Sequence, residues 1–503
     1  MVIYSRLSAL DSSFLDIEDR RTHMHVGATC VFDVGPLRSP EGGIDIERVR
    51  AYVESRLHLL PRYRQHIARI PLEGHPVWVD DEHFDIRYHV RHLSIPKPGC
   101  DRELKRLAGW INSQQLDRGK PLWEMWVIEG LEDDRFAVIA KTHHCMIDGL
   151  AGVDFLALLL KPTDDTEIDE PDRWRPHPAP SASRLLRDSA LRHLSLPRRT
   201  ARALAQDPAA MWESASDLAS ALYETTAAAL RPASATLLNK PIGSHRRFDW
   251  LTFELDRVKA VKNRLGGTVN DVVLATVAGG VRGYLARRGV AVDRGAELLF
   301  RTFCPVGLHN AQRNSNGGNF VSAMMAELPI AEPDPLERLR LIHEYTRDHK
   351  GGAPVRGTEV LETIADETFP PMLSYFASAI EGSRAYNLIV TNIPGPQFPL
   401  YLLGAPMTGS YPLVPLFGHQ GVGIALLSYA GRLCWGFSAD RDIVPDLHDL
   451  VESIREAFAE LVAAAGLPEE VQVPAAQSPR RRATRPGRAR ETIGRETALV
   501  AFS

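Results

Sequence analysis

Polar and apolar positions along the chain follow two periods, which sort most of it into strands and helices. Leu122 to Glu129 and Arg135 to Thr142 are short, apolar, partly β-branched runs. They are joined by the polar loop Leu131-Glu132-Asp133-Asp134, and the pattern predicts two adjacent strands. The apolar run Leu150 to Leu160 is long enough for a buried helix. Upstream, Asp45 caps a predicted helix reaching about His58, with Ile46, Val49 and Val53 on one face. Asp101 opens another amphipathic helix through Leu104, Leu107, Ala108 and Ile111. Residues 5 to 33 read as a short helix with Asp11 as N-cap, then a strand through Val26, Ala28 and Cys30. Phe84 to Leu93 reads as a further strand. Such a mixture suits a layered α/β fold.

The pattern changes between residues 161 and 245. Asp164 to Pro180 is acidic and then proline-rich, which predicts a linker. Arg184 to Arg202 holds six arginines and one aspartate among leucines and alanines, and reads as a helix interrupted at Pro197. Ala209 to Leu230 is alanine-rich and also reads as helical. Periodic elements resume near Arg246. A strand and helix share Leu251 to Leu265, and Asn270-Asp271 opens a strongly apolar helix through Ala278. Strands follow at Leu298 to Val306 and Asn319 to Leu328, and Gly421 to Ala439 makes a hairpin turning at Tyr429-Ala430-Gly431-Arg432.

At 503 residues the chain exceeds one ordinary core. Two domains are expected, at 1–165 and 246–470, joined by a linker and helical crossover at 166–245. Residues 471–503 read as a disordered, arginine-rich tail. Within it, residues 474 to 503 carry seven Arg and two Glu, net +5, so the rest of a chain of net charge −4 carries −9. No basic stripe with interleaved aromatics appears in the body, which argues against nucleic-acid binding. There is no basic leader followed by an apolar core and no uninterrupted apolar run of 18 residues. Five scattered cysteines without C-x-x-C add to the expectation of a cytoplasmic protein with reduced thiols.

The candidate chemistry lies at Lys141-Thr142-His143-His144-Cys145-Met146-Ile147-Asp148-Gly149, between a predicted strand and a predicted helix. A neutral imidazole accepts a proton from a hydroxyl near neutral pH, and a nearby carboxylate can fix its tautomer or brace the turn. If the backbone is extended here, His143 and His144 point to opposite sides, and Cys145 points away from His144. Adjacent histidines with no further ligands at metal spacing do not predict a metal site. The simpler alternative is one packed histidine, with Asp148 capping the next helix.

The H-H-x-x-x-D-G pattern resembles the signature of the CoA-dependent acyltransferase superfamily. Leu7 to Leu15, Met24-His25-Val26-Gly27, Pro121-Leu122-Trp123-Glu124, Thr268 to Ala275 and Asn392 to Pro396 narrow the match. In this order they resemble the motifs of the bacterial wax ester synthase/diacylglycerol acyltransferase family, over roughly residues 5 to 465. The resemblance implies a two-domain, chloramphenicol-acetyltransferase-like α/β fold with a substrate tunnel between the domains. It implies that His144 is the general base and Asp148 holds the catalytic loop, with support from His143, Gly149, Asn270, Asp271 and Trp123. Trp123 would be scaffold, while Asn270 is either a helix cap or an amide facing substrate. Long-chain acyl-CoA would be a substrate, no cofactor would be needed, and the acceptor would be diacylglycerol or a fatty alcohol. Such acceptors imply peripheral association with a membrane or lipid-droplet surface. Esterification of another lipid or polyketide alcohol, and low-turnover lipid binding, remain alternatives. One departure stands out: Pro305-Val306-Gly307-Leu308-His309 replaces the family's usual Pro-Val-Ser followed by Arg.

Overall fold

The computed structural model describes residues 4–146, 155–170, 174–206, 232–293, 298–307, 321–349 and 384–468. Two six-stranded sheets carry the fold. The first runs β12 (Tyr401–Leu402), β13 (Ala405–Leu413), β2 (His25–Asp33), β7 (Arg135–His143), β6 (Trp123–Leu131) and β5 (Val90–Ser94). It is antiparallel except between β5 and β6. The second runs β10 (Val321–Glu327), β9 (Arg301–Gly307), β11 (Leu388–Ile393), β14 (Val422–Tyr429), β15 (Arg432–Asp440) and β8 (Arg246–Glu254). A small sheet of β1 (Ser5–Arg6), β4 (Pro76–Asp80) and β3 (Gln65–Arg69) completes the set.

Helices cover these sheets because each sheet has an apolar face to bury. On the first sheet, α1 (Ala9–Ile17), α2 (Ile46–Arg56) and α5 (Phe155–Leu159) share a core with Phe32, Trp123 and Phe136. The second core is built on α7 (Leu255–Leu265), α8 (Val269–Arg287), α9 (Pro335–His349) and α10 (Leu447–Ala464). Between the sheets, α4 (Asp101–Asn112) contributes Leu104, Ala108 and Ile111 to a third cluster with Trp126, Phe248, Trp250 and Leu413. The interval 246–470 thus also supplies β12 and β13 to the first sheet.

Local chemistry explains several starts and ends. Asp45 caps α2 by accepting from Arg48 N at 3.1 Å, as predicted. The β14–β15 hairpin turns where predicted, with Ala430 and Gly431 both at positive φ, the conformation of a two-residue primed turn. Four expectations need correction. Ser8, not Asp11, caps α1; its hydroxyl accepts the Asp11 N–H at 3.0 Å. Thr268 rather than Asn270 caps α8, in a reciprocal box with Asp271 three residues on. Residues 84 to 93 are not one strand: Asp85 caps a short helix, α3 (Ile86–His89), and only Val90 onward is extended. Helix α6 (Ala182–Gln206) runs through Pro197, since a proline removes one ladder bond and need not end a helix whose other turns persist. The predictions at Ala209 to Leu230 and for the tail lie outside the described residues.

Strand β2 is central, and Gly27 lets its neighbour approach closely. A Cβ on Gly27 would overlap the Ala140 carbonyl oxygen of β7. Gly27→Ala is expected to cost about 3 kcal/mol or more, the upper end for overpacking against rigid backbone. Denaturant unfolding of the purified variant measures this, and wild-type stability in it would contradict the packing described.

Candidate functional site

The site begins where β7 gives way to a single 3-10 turn, His144–Met146. Two backbone bonds fix that exit. His143 N donates to Leu122 O at 2.9 Å, and His144 N donates to Met24 O at 2.7 Å. His143 is the last extended residue and faces His25 across the ladder. His144 already belongs to the turn, so strand alternation does not set the direction of its ring.

His143 is fully buried. Its Nδ1 accepts the Cys145 N–H at 3.1 Å, so in the neutral ring the proton resides on Nε2. That Nε2 lies 3.5 Å from Glu18 Oε2, and His25 Nε2 lies 3.5 Å from Glu18 Oε1. Arg118 adds bonds of 2.8 and 3.1 Å to the same carboxylate. Burial alone would raise the Glu18 carboxyl, but His143 and His25 outweigh it and hold the group well below the usual carboxylate range. His25 is pushed down to about 3, first by burial, and is therefore a neutral ring at pH 7.

His144 is only partly exposed, and its ring rests on Phe14 with centroids 4.1 Å apart. Its Nδ1 is buried with no hydrogen-bond partner among the described residues. Burial, and then the neighbouring His143, lower its pKa to about 4, so the ring is unprotonated at neutral pH. A neutral imidazole at the end of a rigid strand can accept a proton. Cys145 faces the core, and burial lifts its thiol well above the ordinary range, so no thiolate is available beside the histidines.

Beneath the motif lies a second buried charge pair. Lys141 Nζ meets Glu124 Oε2 at 3.3 Å and donates to Gln114 O at 2.9 Å and Ile111 O at 3.2 Å. Glu124 also accepts from Trp126 Nε1 at 2.9 Å and pairs with Arg91 at 3.1 Å. Every polar atom of this pair is engaged, which is what makes a buried pair tolerable.

The predicted residues separate into three groups. His143, His144 and Trp123 fall in one region. Trp123 is scaffold: fully buried, it stacks on His89 at 4.5 Å and donates to Tyr63 O at 2.9 Å. Asn270 and Asp271 make no hydrogen bond, ion pair or ring contact with the histidines among the described residues. Asp271 is buried and ties α8 to α9, accepting from Thr268 N at 2.8 Å and Thr346 Oγ1 at 2.7 Å, with His343 Nδ1 at 3.0 Å. Asp148, Gly149, Leu308 and His309 lie outside the described residues. Glu18 was not anticipated, although it follows Phe14 by four residues, one helical turn, on the element that carries the ring under His144. A crevice of about 10 Å³ beside the cluster, lined by His23, His25, Asn112, Arg246, Leu413 and Ser438 among others, holds no more than a water. The expected tunnel is not delineated by the described residues.

The fold is shared with known acyl-transferring enzymes. A solved structure of the trichothecene 15-O-acetyltransferase TRI3 from Fusarium sporotrichioides superposes with TM-score 0.55 at 13% identity, covering 91% of this chain and 95% of that one. The class is a two-domain, chloramphenicol-acetyltransferase-like α/β fold. Within it, the wax ester synthase/diacylglycerol acyltransferase catalytic-domain model matches residues 7–273, and the corresponding C-terminal-domain model matches residues 317–462. The chain belongs to this family and is an acyltransferase. The wax ester synthase/diacylglycerol acyltransferase of Marinobacter aquaeolei VT8 superposes with TM-score 0.65 at 26% identity, over 92% of this chain and 100% of that one. A Mycobacterium tuberculosis H37Rv protein named "Probable diacyglycerol O-acyltransferase tgs1" is 32% identical over 464 residues, 91% of this chain and 96% of the relative.

If Glu18 positions the histidines, Glu18→Gln should keep the fold and lower the acyl-transfer rate by about 10- to 100-fold, the size of effect seen when a carboxylate that orients a metal-bound imidazole is lost. Arg118, 41% exposed, can then be hydrated, so the melting temperature should change little. A lowered melting temperature with an unchanged kcat would make Glu18 structural only.

Proposed function

We propose that the protein transfers a long-chain acyl group from acyl-CoA to diacylglycerol, and also to long-chain alcohols, with His144 as general base. The observation that carries this reading is the neutral, partly exposed His144 ring at the end of β7, backed by His143 and the ionised Glu18. His144 takes the proton of the acceptor hydroxyl as its oxygen attacks the thioester carbonyl carbon. The C–S bond then breaks, and the CoA thiolate leaves with the proton returned by the imidazolium. No acyl-enzyme forms and no cofactor takes part. Asp148, on the motif, would brace the loop that presents the imidazole, and Gly149 would permit its turn. The names of the Marinobacter enzyme and the mycobacterial relatives support diacylglycerol and wax alcohols as acceptors.

These acceptors are lipids, and no helix among the described residues is long and apolar enough to cross a membrane. We therefore place the enzyme at the surface of a membrane or lipid body, meeting its acceptor there.

Thioester release from palmitoyl-CoA, with diolein, with hexadecanol or with neither, tests the function. Release that depends on an added alcohol supports transfer; release indifferent to both would point to another acceptor. His144→Ala should lose about 10²–10⁴-fold in rate, and His143→Ala less. An inactive His143→Ala beside an active His144→Ala would reverse the assignment.

The pH profile gives an independent check. A base lowered to about 4 stays deprotonated until the pH falls through that value. The acid limb of kcat/KM should therefore lie near 4, well below the ordinary imidazole value of about 6.5. A limb at the ordinary value would exclude the neutral, partly exposed His144 of this structure as the titrating base.

A further inference from the structure

The crevice beside the histidine cluster is walled by both six-stranded sheets. His23 lies just before β2 and His25 opens that strand, while Ser438 comes from β15 and Arg246 from β8. His25 is 2% exposed, Ser438 3% and His23 5%, so three polar side chains meet there away from bulk water. The two rings stand with their centroids 5.6 Å apart.

Each of the three carries one buried polar atom without a hydrogen-bond partner among the described residues: His23 Nδ1, His25 Nδ1 and Ser438 Oγ. A buried polar atom left unmet costs more than a typical bond is worth. The needs of these three are complementary. His23 Nε2 lies 3.2 Å from the Arg20 carbonyl oxygen, which only accepts, so in the neutral ring Nδ1 is the acceptor. Burial, and then Arg246, lower the pKa of His23 and keep that ring neutral at pH 7. His25 Nε2 lies 3.5 Å from the ionised Glu18; with the proton on that nitrogen, His25 Nδ1 is an acceptor too. With the proton on Nδ1 instead, Nε2 takes the Leu116 N–H at 3.4 Å. A water serves either tautomer. It donates to His23 Nδ1, accepts from the Ser438 hydroxyl, and gives or takes one bond at His25 Nδ1. Arg246 does not compete for it, because its guanidinium already donates to Gly243 O and Arg21 O. A volume of about 10 Å³ and three polar partners are what one buried water requires.

We propose that one ordered water occupies this crevice and that Ser438 and His23 act through it as positioning residues for His25. The His25 ring is then held at both nitrogens, by Glu18 from the first sheet's side and by the water from the second sheet's. The inference rests on the reading that Glu18 and His143 support His144 in acyl transfer, and it extends that support across the seam between the sheets.

A crystal structure of the protein, at a resolution that shows ordered water, tests the occupancy. Density for one molecule within hydrogen-bond distance of at least two of the three atoms is expected. An empty crevice, or density reaching only one of them, overturns the proposal. Ser438→Ala removes one partner and adds no bulk. Its kcat should fall about tenfold, the weight of one buried hydrogen bond, with KM for palmitoyl-CoA changed less than about twofold. A lowered melting temperature with unchanged kcat would make Ser438 structural only and overturn the positioning role. A wild type that holds the water but transfers no acyl group to any alcohol would sink the catalytic reading and leave the water site standing.

Discussion

One buried carboxylate orders the site. An ionised group removed from water must be met by donors or it destabilises the fold. Glu18 accepts from Arg118 in the loop after α4 and from the Met24 N–H at 3.4 Å, and the rings of His25 on β2 and His143 on β7 each lie 3.5 Å from it. Satisfying that one charge brings the end of α1 against the exit of the central strands. The same helix carries Phe14, on which His144 rests. The position of His144 is thus set twice: through the backbone bond to Met24, and through a ring contact on the element that Glu18 terminates.

Burial has two consequences for this ring that pull in opposite directions. It keeps His144 deprotonated at neutral pH, so the ring is able to accept a proton there. It also weakens the base, because a group with pKa about 4 drives proton transfer less than one near 7. On the proposed mechanism the imidazolium exists only while the tetrahedral intermediate carries its own negative charge. Among the described residues Glu18 is the anion paired with the adjacent His143 ring. An arrangement in which positive charge is unwelcome at rest and stabilised during reaction favours the transition state over the ground state.

Much of this was legible in the sequence, and the failures share a cause. Strands β6 and β7, helices α2 and α4 and the β14–β15 hairpin follow from local period and turn chemistry. Their apolar faces and turn residues are contiguous in the chain. The motif histidines were legible because their residue types and spacing are rare together. The cap reading of Asn270 failed because Thr268, two residues earlier, competes for the same cap and has Asp271 to complete a reciprocal box. Residues 86 to 89 were read as strand because Asp85 as a cap is a weaker signal than the apolar run around it. Glu18 could not be found by such rules. Its importance comes from partners 7, 100 and 125 positions away in the sequence, and no local period encodes that.

The same distance argument explains why the two halves act as one unit. Met407 to Leu413 pair with Gly27 to Phe32, so β2 has a neighbour on both edges only when the C-terminal part is present. Without β13, β2 would present an unpaired row of backbone donors and acceptors beside the functional strand. Contact between the sheets is close on the other side of β13 as well. A Cβ on Gly436 would overlap the Pro412 carbonyl oxygen, and Trp250 stacks on Tyr411 at 4.8 Å. Arg246 bridges the same seam, donating to Gly243 O at 2.6 Å and to Arg21 O, two residues before His23. The histidine cluster is therefore held by the first sheet, whose register depends on a strand from the far end of the chain.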